Sequence, residues 1–134
     1  MEIGKAETLK EGKEIVIWAL GDMIPTAEKA AAILAGRGLS AGVVNARFVR
    51  PLDEELLRTH CAGARVIATI ENGVAEGGFG SAVTEWLTQN NFGGRVLRFG
   101  WPNRFVPHGS MKDLTERFGL GASAIAASIA KAME

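Results

Sequence analysis

The sequence predicts an α/β fold, a three-layer α/β/α sandwich built on a mostly parallel sheet. Three observations predict it. Apolar runs of strand length alternate along the chain with segments of helical spacing. The run at 15–20 is continuous and apolar, the pattern of a strand covered on both faces. The connections between them are about one helix long, as parallel βαβ units require.

The elements follow in order. "IGKAETLK" (3–10) is weakly patterned and suits an exposed edge strand. "EIVIWAL" (14–20) is continuous, apolar and rich in β-branched residues, so it reads as a buried strand. Ala27, Ala30, Ala31 and Leu34 then recur at i, i+3, i+4 and i+7, one face of a helix closed by Gly36 and Gly38. "AGVVNARFV" (41–49) is a second buried strand. Pro51 and Asp53 open a helix with acids in its first turn and Arg58 and His60 in its last, matching the helix dipole. His60 is read as capping that C-terminus. "RVIATI" (65–70) is a third strand, and Phe79, Val83, Trp86 and Leu87 mark a core-facing helix behind it. "RVLRFGW" (95–101) is a fourth strand. A capping box from Ser110 to Asp113 starts a short helix that stops at Gly119. Ile125, Ile129, Ala132 and Met133 lie on one face of the last helix.

Bulk composition narrows the function. The chain has 134 residues, the size of one domain, and residues 1–134 are read as a single domain. Hydrophobic residues make up 47% and charged residues 22%, as in a typical globular protein. Fifteen basic residues balance fifteen acidic ones without a basic cluster, which argues against nucleic acid or an anionic membrane as partner. No apolar run approaches the ~18 residues of a membrane helix. Cys61 is the only cysteine, and the first ten residues carry charges where a signal peptide would be apolar. The expected setting is the reducing cytoplasm.

In doubly wound sheets, ligands bind beyond the C-terminal strand ends. "GDMIPT", "RFVRPLD" and "ENGVAEGGFG" fall there. The last of these draws attention to Glu71 and Asn72 at the end of the third strand, and to Gly77, Gly78, Gly80 and Ser81 behind them. It is not a dinucleotide fingerprint, because valine stands where the third glycine should be. It is not a nucleophile elbow either, and no P-loop occurs in the chain. Its glycines are read as letting a helix N-terminus approach the sheet. Asp22 in "GDM" lacks the second glycine and the asparagine of a thiamine diphosphate metal motif. Cys61, in the last turn of a helix, is read as structural. "NRFVPHGS" (103–110) sets Arg104, His108 and Ser110 before a helix N-terminus, a geometry suited to an anion or to a neighbouring domain.

Three ordered segments carry a resemblance that covers essentially the whole chain. "VVNARFVRPLDEELL", "IENGVAEGGFGSAVTEWL" and "GWPNRFVPHGS" resemble the C-terminal domain of the transketolase family, in particular its 1-deoxy-D-xylulose-5-phosphate synthases. The resemblance implies a mixed five-stranded sheet with one antiparallel edge strand. It implies an assembly domain of a dimeric, three-domain enzyme that joins pyruvate to glyceraldehyde 3-phosphate with decarboxylation, for isoprenoid precursors. Thiamine diphosphate and magnesium are then held by the upstream domains or subunit, with no catalytic, cofactor or metal residue in this chain. The chain alone is expected to be inactive. Glu71, Asn72, Gly77, Gly78, Gly80, Ser81, Arg104, His108 and Ser110 stand as an interface or anion site. The alternative reading is a stand-alone α/β module that binds a nucleotide or an acyl-CoA-like anion.

Overall fold

The computed structural model describes residues 4–47, 52–74, 78–101 and 121–134. Five strands, β1 (Glu7–Lys10), β2 (Ile15–Ala19), β3 (Ala41–Asn45), β4 (Val66–Val74) and β5 (Arg95–Trp101), form one sheet. Their spatial order is β1-β3-β2-β4-β5. β1 runs antiparallel to β3, and the other pairs are parallel. This is the mixed sheet with one antiparallel edge that the resemblance implies.

Among the described residues, four helices cover the sheet: α1 (Ile24–Gly36), α2 (Glu54–Gly63), α3 (Phe79–Gln89) and α4 (Ala122–Ala132). Strand alternation sorts the core into two halves. Ile15, Ile17, Val43 and Ala68 pack with Leu34 of α1 and Ile129 of α4. Val16, Trp18 and Ile67 pack on the other face with Leu57 of α2 and Phe79 of α3. All five residues of β2 are buried, which is why its sequence shows no alternation.

Local chemistry sets the element ends. Gly38 takes the left-handed conformation at φ 80° after α1, which a side chain there would resist. Asp53 caps α2, its Oδ1 accepting the Leu56 N–H at 3.1 Å. Its Oδ2 accepts the Ala6 N–H at 2.9 Å and so ties the chain ahead of β1 to the same helix start. β1 is exposed throughout, and its register shifts between Thr8 and Lys10. Beside that shift, backbone meets backbone. A Cβ on Gly42 would stand 2.8 Å from the Gly12 nitrogen and 3.0 Å from the Lys10 carbonyl oxygen.

One sequence expectation changes. The third strand extends through Val74 rather than stopping at Ile70, because Val74 still pairs with Trp101 across an irregular register. Glycine and asparagine at 72–73 hid that extension. α3 begins at Phe79, with Gly78 as N-cap. Pro51 and the Ser110–Gly119 helix lie outside the described residues.

The connections place the site. β2 leads through α1 to β3 on one side, whereas β4 leads through α3 to β5 on the other. The strand order therefore switches direction between the C-terminal ends of β2 and β4. A 3-10 turn, Gly21–Met23, and the "ENGV" end of β4 stand there, joined by the Leu20 N–H donating to the Ile70 carbonyl at 3.0 Å.

Because both helical layers pack on one central strand, unfolding should be a single transition. Far-ultraviolet circular dichroism and tryptophan fluorescence should give coincident melts, whereas separated midpoints would show two independent halves.

Candidate functional site

Alternation along β4 puts Ile67, Thr69 and Glu71 on the face covered by α3. Glu71 is 5% exposed. Its Oε2 accepts the Gly80 N–H at 3.2 Å. The Phe79 N–H bonds to the same carboxylate. Gly78 makes no side-chain cap, so the free N–H groups at the start of α3 are met from the neighbouring strand by Glu71. Burial raises the Glu71 pKa, and the Gly80 and Phe79 N–H groups pull it back without cancelling the rise.

The glycine at 80 is required by contact. A Cβ there would lie 2.8 Å from Thr69 Oγ1 and 3.4 Å from the Cγ and Cδ of Arg98. Thr69 is 1% exposed and β-branched, so it cannot swing away cheaply. Thr69 Oγ1 and Glu71 Oε1 are buried without a hydrogen-bond partner among the described residues. On the outer side, Arg98 of β5 donates to Ser81 Oγ at 3.3 Å.

Of the sequence candidates, the structure thus brings together Glu71, Gly78, Gly80 and Ser81. Asn72 continues the backbone of β4. Gly77, Arg104, His108 and Ser110 lie outside the described residues. Thr69 and Arg98 were not singled out by sequence reasoning. Thr69 had a signal, since it stands two residues before Glu71 and so shares its face. Arg98 had none, because its partner is seventeen residues away on another element.

The reading of His60 as a helix cap is corrected. Its Nδ1 accepts the indole N–H of Trp18 at 3.0 Å, with the rings edge-on at 81°. A side chain turned toward the sheet cannot also serve the last carbonyls of α2. Cys61 is partly buried and unpaired, and burial raises its pKa against the opposing pull of Arg58. A thiol in that state is a poor nucleophile at neutral pH. No three of His, Cys, Asp and Glu gather as metal ligands among the described residues. No described helix is long and apolar enough to cross a membrane.

This arrangement matches known proteins closely. The profile of the family described as transketolase, C-terminal domain, matches residues 4–125. The 1-deoxy-D-xylulose-5-phosphate synthase of Syntrophotalea carbinolica is 47% identical over 129 residues, which are 96% of this chain and 20% of that protein. The synthase of Caldanaerobacter subterraneus subsp. tengcongensis is 42% identical over 127 residues, 95% of this chain and 20% of that protein. A split-gene transketolase, solved as an inactive β4 tetramer, superimposes with a TM-score of 0.90 and 35% identity over 98% of this chain and 43% of its own. A transketolase variant from Pichia stipitis gives 0.68 at 23% identity, over 96% of this chain and 18% of its own, a likeness of fold. The chain spans about a fifth of the length of the curated relatives it matches.

Two outcomes follow for the turn. Gly80→Ala should destabilise the chain by about 1–3 kcal/mol through overpacking. The double variant with Thr69→Ala should recover much of that loss, and simple additivity in denaturant melts would contradict the contact. For Glu71, the folded pKa lies above its ordinary 4.5, so folding favours the protonated form. Its contribution is fully present below that value and declines as pH rises through the folded pKa. The stability of wild type relative to Glu71→Gln should therefore fall as pH rises from acid toward neutral, and a flat difference would refute the assignment.

Proposed function

Given that the chain belongs to the transketolase C-terminal domain family, we propose that it is the assembly domain of a thiamine diphosphate-dependent carboligase of the 1-deoxy-D-xylulose-5-phosphate synthase type. In this reading, residues 1–134 form one domain. It associates with upstream domains or a separate subunit in a cytoplasmic homodimer. Those upstream parts hold thiamine diphosphate and magnesium. The cofactor supplies the carbanion chemistry that joins pyruvate to glyceraldehyde 3-phosphate with loss of carbon dioxide.

One observation carries the non-catalytic assignment. Glu71, the acid at the glycine-rich turn, is buried and engaged by the N–H groups that open α3. A general base must reach a substrate proton, and this carboxylate faces the helix instead. Its work is to fix α3 against β4 at the crevice where the strand order switches. That supports a rigid surface at the C-terminal strand ends, suited to contact with another domain. The same engagement weakens the rival reading of a nucleotide or acyl-CoA-like module, since the N–H groups that would hold an anion there are already taken by Glu71.

The test mixes the chain with its upstream domains and follows carboligation and sedimentation on the same samples. The chain alone should show no turnover, and the mixture should assemble and turn over. Turnover by the chain alone would overturn the proposal. A general acid or base accounts for roughly 10²–10⁴-fold in rate. Glu71→Gln in the complete enzyme should lower turnover per intact dimer less than about tenfold, short of that range. Near-total loss in an intact dimer would instead make the turn catalytic.

A further inference from the structure

We propose that α2 is latched to the sheet by the Trp18–His60 hydrogen bond, and that protonation of His60 opens this latch and frees the C-terminal half of the helix. Trp18 lies in the central strand, fully buried, and its indole N–H points to His60 Nδ1 at 3.0 Å. An acceptor nitrogen carries no proton, so the bond exists only with neutral imidazole. In the imidazolium both ring nitrogens are donors. Two donors cannot stay at that distance, and the buried indole N–H would be left without a partner.

Apart from that bond and Leu57, α2 rests on the sheet only through partly buried Leu56 and Cys61. Leu57 is its only fully buried residue. Its N-terminal half has separate polar ties, with Glu54 Oε1 accepting the Trp86 indole N–H at 3.0 Å and Asp53 Oδ2 accepting the Ala6 N–H. The C-terminal half has the Trp18–His60 bond and the exposed Arg58–Asn90 contact at 3.4 Å, with Arg58 over the Trp86 ring. Loss of the His60 bond therefore falls on the less secured end.

The groups around His60 set the direction. Burial disfavours its charged form and lowers its pKa, while Glu11, ahead of β2, and Asp53, at the start of α2, oppose that shift. β2 presents the neutral Trp18, and α3 presents Trp86 and Asn90 to the other α2 groups. On α2 itself Arg58 acts on Cys61. The folded pKa lies below the ordinary 6.5, so folding favours neutral His60. Its stabilising contribution is present above that value and is lost as pH falls through the folded pKa.

The experiment is amide and indole hydrogen exchange on the 134-residue chain, by nuclear magnetic resonance, as pH is lowered from 8 through the measured titration of His60. After correction for intrinsic exchange, protection of the Trp18 indole and of amides 59–63 should fall together by about tenfold or more, as loss of a buried hydrogen bond implies. Amides of β2 and β4 should keep theirs. His60→Gln offers a neutral acceptor at every pH and should remove the step, and Trp18→Phe should remove it independently. Unchanged α2 protection across the titration would overturn the proposal. So would the same step in His60→Gln, or loss of β2 and β4 protection at the same pH.

Discussion

The central strand β2 must be dry on both faces, and most of the molecule is arranged to satisfy that demand. All five of its residues are buried. Its carbonyls and N–H groups are met by β3 on one edge and β4 on the other, starting level at Ile15. Its side chains divide between two helical layers, isoleucine and alanine toward α1 and α4, valine and tryptophan toward α2 and α3. Trp18 brings the one polar side-chain group into that strand. A buried donor needs an acceptor, and this need determines where α2 sits and what His60 does.

Physical demand of this kind was partly legible in the chain itself. The run at 15–19 and the faces of α1, α3 and α4 could be read because burial on a regular element leaves a period in the sequence. Asp53 was legible as the start of α2 because a cap acts on its own neighbours. The pairings across elements were not. His60 carries a local signal for the helix dipole, and the sheet overrides it through a residue forty-two positions away. The extension of β4 was hidden for a similar reason. Its support comes from Trp101 of β5, whereas asparagine and glycine at 72–73 argue locally against a strand.

The candidate site divides along the same line. Glycines at 78 and 80 announced a close approach of helix to sheet. The partner that Gly80 approaches, Thr69, was one alternation step from Glu71, already a candidate. Glu71 stood out as an interface or anion-site candidate because it ends a parallel strand beside a glycine-rich helix start. Its engagement by the start of α3 turns it into a brace between two elements.

The edge strand has a consequence for the life of the chain before it meets any partner. β1 offers Glu7, Thr8, Leu9 and Lys10 to solvent, bears charge at both ends and breaks register midway. A flat, apolar border invites a stranger's backbone to add itself, strand upon strand, without limit. This border discourages that growth. The Gly12–Gly42 approach, with no room for a side chain, draws the segment that follows β1 tightly against β3 and shortens the stretch open to capture. A newly made copy is thereby kept from zipping onto its siblings along this rim.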